Sequence, residues 1–129
     1  MPDLKEKAIT MLASATVDLQ HGDGKSDVYT VPIGKKAVIT HVVIRNPTAS
    51  LDSGSTGDFD IGSGADANTW LQTTDLDTMT TTTDYMVITS SKVKYTIEAA
   101  AAVFGIKVIT GATLDAQATM EVFGYEVDA

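Results

Sequence analysis

Cysteine is absent from the sequence, which excludes disulfide bonds, thiol nucleophiles and metal sites built on thiolates. Positive charge is scarce: 9 basic residues, of which Arg45 is the one arginine, stand against 17 acidic residues, and the formal net charge is −8. A phosphate backbone is bound by a cationic surface, so we expect no nucleic-acid partner. The sequence contains neither an apolar run of the roughly 18 residues that a membrane span needs nor the apolar core of a secretory signal. We therefore expect no membrane association.

Residues that suit β-strands are abundant. The sequence has 19 threonines, 12 valines and 9 isoleucines against 7 leucines and 4 glutamates, and β-branched side chains pack well on a pleated, half-buried surface. A chain of 129 residues is the size of one domain with a single modest core. We predict one domain over residues 1–129, with residues 1–7 as a candidate extended arm.

Hydrophobic alternation predicts eight or nine short strands, spaced about ten residues apart, and no helix of the kind that connects parallel strands. We predict an all-β fold, an antiparallel β-sandwich of the jelly-roll type. For the first segment a helix that begins at Asp3 is the competing interpretation, which Thr10 and Thr16 disfavour. A change of phase near Gly124 predicts a glycine bulge in the last strand. The predicted strands cover residues 8–19, 28–31, 36–46, 58–62, 85–89, 93–98, 103–110 and 117–127.

The segment 36–46 is aliphatic on both faces, which predicts a central strand that is covered on both sides. A single sandwich covers one face of each sheet, so we expect a second subunit to cover the other. We predict that Arg45 bridges to an acidic residue across this contact. For His41 the alternative is a partly buried residue held by hydrogen bonds. The residues predicted to share the contact face are Ile39, His41, Val43 and Arg45.

Residues 28–46 read VYTVPIGKKAVITHVVIRN. This segment resembles the Y-x-V-P-x-G-K-x-x-x-I-x-x-V-x-V-x-N stretch of small β-sandwich proteins from the virions and prophages of tailed bacteriophages, and residues 9–15 are similar to the strand that opens such proteins. The resemblance implies a non-enzymatic virion component, such as a head decoration protein, a fibre or a tail accessory protein. Such a protein is made in the host cytoplasm and located on the capsid surface or the tail. We expect a homotrimer that docks on the major capsid protein or another virion protein.

The sequence offers little that would support catalysis. It contains no G-x-S-x-G motif, no P-loop and no H-E-x-x-H motif. Asp58 and Asp60 would share a strand face, but two carboxylates alone lack the environment that separates their pKa values for acid–base work. We predict no enzymatic activity and no cofactor. Asp58 and Asp60 are also weak candidates for metal binding, because calcium prefers several oxygen ligands on flexible loops. Solvated carboxylates that keep strand edges soluble are the alternative interpretation.

Carbohydrate binding is the alternative function. Jelly rolls occur in lectins, where exposed aromatic rings provide platforms for sugars. Trp70, Tyr85, Tyr95 and Tyr125 could contribute to such a platform, and Trp70 and Tyr85 are the candidate pair. Aromatic residues make up only 6% of the chain, which is few for a lectin that relies on stacking.

Overall fold

The computed structural model describes residues 8–20, 24–51, 58–76, 79–90, 98–110 and 115–129. None of these segments is a helix of the length and hydrophobicity that crosses a membrane. The first segment is a strand, as its alternation predicts, whereas the fifth strand lies in a Thr- and Asp-rich tract where none is predicted. The predicted strand at 93–98 lies, apart from Glu98, outside the described residues. The strands are β1 (Thr10–Asp18), β2 (Lys25–Thr30), β3 (Lys35–Arg45), β4 (Asp58–Ser63), β5 (Leu71–Thr74), β6 (Tyr85–Ile88), β7 (Val103–Thr110) and β8 (Gln117–Asp128).

The eight strands form two four-stranded antiparallel sheets. The first sheet has the order β1-β8-β3-β6 and the second sheet has the order β2-β7-β4-β5. The pairing is nested, because β1 pairs with β8, β2 with β7, β3 with β6 and β4 with β5. A chain that folds back along its whole length and then rolls into two facing sheets is a jelly roll. The predicted antiparallel sandwich of the jelly-roll type is therefore confirmed.

The core lies between the sheets, where alternate residues of each strand meet. Trp70 links the two layers: its indole Nε1 donates a hydrogen bond to the carbonyl oxygen of Ile39 on β3 at 3.3 Å. Its ring meets Phe104 of β7 edge-on, with 5.9 Å between the ring centroids. Each large apolar side chain that is fully removed from water stabilises the fold by about 1.5–3 kcal/mol. The largest of them are Trp70, Phe59, Phe104, Leu19, Ile39, Ile44, Leu51, Ile61, Leu76, Met79, Ile106 and Met120.

A bulge in β3 changes which of its residues face the core. Opposite Gly124 and Phe123 of β8, the register shifts between Ile39 and His41, so Thr40 is an extra residue. Simple alternation would place Ile39 on the same face as His41. The bulge instead turns Ile39 inwards, where it is 2% exposed. The bulge predicted within the last strand near Gly124 therefore lies in the neighbouring strand, while β8 keeps its alternation of buried residues through Gly124.

A second bulge changes which residues at the start of β1 face the core. The register against β8 shifts between Met11 and Ala13, which makes Leu12 the extra residue. Leu12 packs against the core, and Met11 is left on the outside, 50% exposed. The predicted alternation puts Ile9, Met11, Ala13, Ala15, Val17 and Leu19 on one buried face. It is correct from Ala13 onwards and wrong at Met11 and at Ile9, which is 55% exposed.

Candidate interaction surface

The outer face of the first sheet is the surface that faces away from the core. Its members alternate along each strand with buried residues and pair across the sheet: His41 with Phe123, and Phe123 with Met11. Further along, Val43 pairs with Val87 of the edge strand β6. The outer face of the first sheet consists of Lys36, Val38, His41, Val43 and Arg45 on β3, Gln117, Thr119, Glu121, Phe123, Tyr125 and Val127 on β8, Met11, Ser14, Thr16 and Asp18 on β1, and Tyr85 and Val87 on β6.

Apolar side chains on this outer face are open to solvent. Tyr85 is 71% exposed, Val87 56% and Met11 50%. Scattered apolar residues are ordinary on a protein surface, but a contiguous apolar patch marks an interaction site. These three residues lie on one sheet with Val43 and Phe123 between them, so apolar side chains cross the outer face from β1 to β6, beside the charged pair of Arg45 and Glu121.

His41 is held rigidly on this surface. Its ring stacks on Phe123, with centroids 4.6 Å apart and an angle of 8° between the planes. Its Nδ1 lies 3.0 Å from Thr40 Oγ1, and that hydroxyl donates to the carbonyl oxygen of Phe123 at 3.2 Å. The partly buried, hydrogen-bonded histidine of the alternative interpretation agrees with this geometry, which also gives the surface a fixed shape.

Arg45 finds an acidic partner within its own chain. Its Nε donates to Glu121 Oε1 on β8 at 2.8 Å. The Arg45 side chain is 41% exposed and that of Glu121 is 15% exposed. The two opposite charges therefore neutralise each other at the centre of the outer face. The bridge from Arg45 to an acidic residue of a second subunit stays a prediction.

Ile39 does not belong to the contact face. The sequence grouped it with His41, Val43 and Arg45, but the Thr40 bulge places Ile39 in the core. Val38 takes the outward position, paired with Tyr125. Periodicity cannot reveal this exchange, because a bulge is a property of the backbone hydrogen bonds of two strands.

The structure identifies contributors to this surface that sequence reasoning missed. Tyr85 and Val87 come from β6, whose four residues are all apolar and have no polar alternation. Such a run in an edge strand indicates a strand with apolar neighbours on both sides, and this signal could have found them. The position of the strand is fixed by Asp84, whose Oδ2 accepts hydrogen bonds from the backbone N–H groups of Thr80 and Thr81, each at 2.8 Å. The N–H groups of Thr81 and Thr80 hold the pKa of Asp84 below its ordinary value.

The candidate glycan platform is not assembled. Trp70 is 1% exposed and lies between the sheets, whereas Tyr85 is 71% exposed on the outer face of the first sheet. Two rings on opposite sides of one sheet cannot hold the same sugar, so the prediction for Trp70 is wrong. A surface cavity of about 560 Å³ elsewhere has no aromatic lining residue. It is lined by Lys25, Asp27, Ser63, Gly64, Ala65, Ala101, Ala102 and Val103.

The two carboxylates named as weak metal ligands differ in their contacts, because Asp58 Oδ1 is buried without a hydrogen-bond partner among the described residues. Asp60 Oδ1 accepts a hydrogen bond from the backbone N–H of Thr73 at 3.0 Å. Asp58 pairs through its backbone with Thr110 of β7. In the part of the chain that the structure describes, no group of three or more His, Cys, Asp or Glu side chains could hold a metal ion. Asp58 and Asp60 therefore lack a described third ligand.

Buried polar contacts join the two sheets. The Tyr29 hydroxyl on β2 donates to Glu126 Oε1 on β8 at 2.7 Å. Burial, the hydrogen bond to Glu126 and the negative charge of that carboxylate together raise the pKa of Tyr29 above its ordinary value. Glu98, 2% exposed, accepts a hydrogen bond from Thr69 Oγ1 at 3.1 Å and pairs through its backbone with Ala37. These groups hold the sandwich together, away from the outer face.

Comparison with known proteins gives structural likeness only. No protein-family model and no curated protein sequence matches the chain. A chain of the cyanophage Pam1 capsid asymmetric unit is similar with a TM-score of 0.59, at 15% identity over 92% of this chain and 85% of that chain. A chain of the acidic stable capsid structure of Helicobacter pylori bacteriophage KHP30 is similar with a TM-score of 0.54, at 16% identity over 95% of this chain and 99% of that chain. At such low identity, the likeness establishes a shared fold.

Proposed function

We propose that this chain is a non-enzymatic structural protein of a bacteriophage particle, a capsid decoration or accessory protein that self-associates and docks on a protein lattice. The observation that carries the proposal is the jelly-roll likeness to chains of two phage capsids, which extends over 92% and 95% of this chain. The likeness also covers 85% and 99% of those chains, so the similarity is to whole domains.

The outer face of the first sheet supports a protein that works by contact. It presents exposed apolar side chains around the self-neutralised pair of Arg45 and Glu121. We propose that His41, Val43 and Arg45 belong to an assembly interface, either with another copy of the chain or with another virion protein. Ile39 supports this interface from inside the core.

The assembly that we propose is a homotrimer bound to the major capsid protein or to another virion protein. Its place is the capsid surface or the tail, after synthesis in the host cytoplasm. The acidic net charge of −8 supports an exterior position, where it limits non-specific contact with polyanions.

Particle purification tests this role. The phage or prophage that encodes the chain is induced with an epitope tag on the chain, and particles are banded on a density gradient. We expect the tagged chain to band with the particles in a fixed ratio to the major capsid protein, and cryo-electron microscopy then locates it on the head or the tail. A tagged soluble host protein of similar charge serves as the control. Recovery of the chain only among soluble host proteins would contradict the proposal.

A further inference from the structure

We infer that the outer face of the first sheet is covered by a second copy of this chain, an inference that rests on the proposed structural role and names the partner. The wider proposal leaves open which virion protein covers this face. The apolar character, the size and the charge of the outer face each favour a particular partner.

The face is large enough for a specific contact. β3 and β8 are paired at ten positions, and β1 and β6 flank them. With strands about 4.8 Å apart and a rise of about 3.3 Å per residue, the outer face measures on the order of 500 Å². A second copy that covers it with a surface of equal size would bury on the order of 1,000 Å² in total, which is the lower limit for a specific protein interface.

Charge favours a second copy at this face. The chain carries a net charge of −8, so two copies repel each other over most of their surfaces. On the outer face of the first sheet, however, Glu121 is already paired with Arg45, and Lys36 at its end adds a positive charge. The other carboxylate that the described strands place on this face is Asp18, at the far end of β1 beside Gln117. Two copies can therefore meet over the centre of this face without opposing carboxylates. The Arg45 side chain, 41% exposed, can in addition bind a carboxylate of the second copy through its terminal nitrogens.

The chain's own N-terminal residues are a poor cover for this face. Residues 1–7 precede β1, whose Met11 belongs to the face. They contain two large apolar side chains, Met1 and Leu4, among four charged ones. Covering Tyr85, Val87 and Met11 requires more apolar surface than these seven residues supply.

Sedimentation velocity on the full chain tests the inference, with a matched pair of variants. Val87→Asp places a carboxylate on the outer face of the first sheet, where Val87 is 56% exposed. Ile109→Asp makes the same change of charge on the outer face of the second sheet, where Ile109 is 47% exposed. We expect the unmodified chain to be a stable oligomer at about 50 µM. Val87→Asp should raise its dissociation constant by about tenfold or more, and Ile109→Asp by less than about twofold.

Tyr85→Ser serves as a second disrupting variant, because Tyr85 is 71% exposed and its loss leaves the core unchanged. Circular dichroism and thermal melting verify that each variant folds.

Raising the salt concentration from about 0.05 to 0.5 M should leave the association unchanged or strengthen it, because salt screens the repulsion between acidic chains. A weakening of about tenfold that persists in Arg45→Gln would instead mean that ion pairs away from this face hold the copies together, which would overturn the inference. A weakening that Arg45→Gln removes would place an ion pair of Arg45 in this contact and uphold the inference.

The other outcomes separate this inference from the proposed function. A monomeric unmodified chain at about 50 µM would overturn the inference, and if the chain still bands with particles, the virion role stands and another virion protein covers the face. An oligomer that resists both Val87→Asp and Tyr85→Ser would also overturn it. If Val87→Asp disrupts the oligomer but the chain never bands with particles, the contact between copies is upheld and the virion role is removed.

Discussion

The outer faces of the two sheets differ in the side chains that they present to solvent. On the first sheet, Val43 of β3 pairs with the exposed Val87. On the second sheet, Lys107 of β7 pairs with Lys25 on one side and with Asp60 on the other. Lys25 and Lys107 each also form an ion pair with an aspartate of their own chain, at 3.3 and 3.1 Å. Water can solvate these charged side chains, and the large apolar side chain that this face exposes among the described residues is Ile109, 47% exposed. The second sheet therefore presents less apolar area to water than the first sheet, where Met11, Tyr85 and Val87 are all exposed.

Beneath these different surfaces the two sheets share one construction. Gly124 of β8 lies against the Thr40 bulge of β3, and an added Cβ there would lie 2.0 Å from the carbonyl oxygen of Val38. In the second sheet, Gly105 of β7 lies beside a register shift in β2 between Asp27 and Tyr29, and its Cβ would lie 2.1 Å from Ser26 O. Each sheet thus uses a glycine to let a bulged neighbour approach closely. The difference between the sheets therefore lies in outward side chains, not in backbone design.

The largest expected effect separates the inside of the sandwich from its outer face. Trp70→Ala removes a ring that is 1% exposed and should lower the free energy of unfolding by about 3–5 kcal/mol. With both variants made in the Val87→Asp background, which keeps dissociation of an oligomer out of the measurement, Tyr85→Ala removes a ring that is 71% exposed and should lower the free energy of unfolding by less than about 0.5 kcal/mol. Urea unfolding followed by tryptophan fluorescence for Tyr85→Ala, and by circular dichroism for both variants, measures the difference. Equal losses would mean that Tyr85 is packed within the protomer.

The next effect tests the construction that the sheets share. Gly124→Ala and Gly105→Ala should each lower the free energy of unfolding by about 3 kcal/mol, because the methyl group collides with backbone that cannot move aside freely. Gly24→Ala is the control, since no atom lies within 4 Å of its added Cβ, and it should change stability by less than about 0.5 kcal/mol. Chemical denaturation of the three variants gives the comparison. If Gly124→Ala changed the free energy of unfolding as little as Gly24→Ala does, the backbone of the Thr40 bulge could move aside to admit a methyl group. The bulge would then not fix the inward position of Ile39.

A smaller effect concerns the polar link between the sheets. Tyr29→Phe removes the hydroxyl that donates to Glu126, and at neutral pH it should lower the free energy of unfolding by about 1.5 kcal/mol. Because the pKa of Tyr29 is raised in the folded chain, its stabilising contribution is complete below about pH 10. Above that pH the unfolded chain loses the tyrosine proton first, and the contribution falls by about 1.4 kcal/mol per pH unit. The difference in free energy of unfolding between the unmodified chain and Tyr29→Phe, measured by denaturation, should therefore decrease between about pH 10 and pH 11. An advantage that stays constant over this range would contradict the link.

Hydrophobic alternation predicts most of the fold because one face of each strand is buried. In β7 the alternation of Phe104, Ile106 and Val108 gives both the strand and its buried face. It fails at Met11 and Ile39, because a bulge adds a residue without leaving a trace in the pattern of side chains. It misses β5, whose Gln and Thr side chains leave one buried residue, Leu71, to signal a strand.

The candidate surface is predictable only in part, for a related reason. The aliphatic residues on both faces of β3 predict a strand that is covered on both sides. Val43 lies on the face turned away from the core, and the cover of that face by a second subunit stays a prediction. Which residues of other strands join it depends on the register, and the pairs of Val43 with Val87 and of His41 with Phe123 are long-range. Trp70 shows the limit of composition as a guide, because a single tryptophan can fill the core or form a platform.

The smallest effect compares one ion pair on each outer face. Arg45 and Glu121 lie 2.8 Å apart with Glu121 only 15% exposed, whereas Lys107 and Asp66 lie 3.1 Å apart with Asp66 74% exposed. Exposed pairs contribute about 0–1 kcal/mol, and less where water competes. We expect a coupling energy of about 0.5–1 kcal/mol for Arg45 with Glu121, and close to zero for Lys107 with Asp66.

Double-mutant cycles with Arg45→Gln, Glu121→Gln, Lys107→Gln and Asp66→Asn measure the two couplings. The Val87→Asp background keeps dissociation of an oligomer out of the measurement. About 0.5 M salt should abolish any coupling at Lys107 and leave most of that at Arg45, because the partly buried pair is less screened. Equal couplings would mean that Glu121 is as well solvated as Asp66. The outer face of the first sheet would then present an open carboxylate to an acidic neighbour, and the charge argument for a second copy would lose its basis.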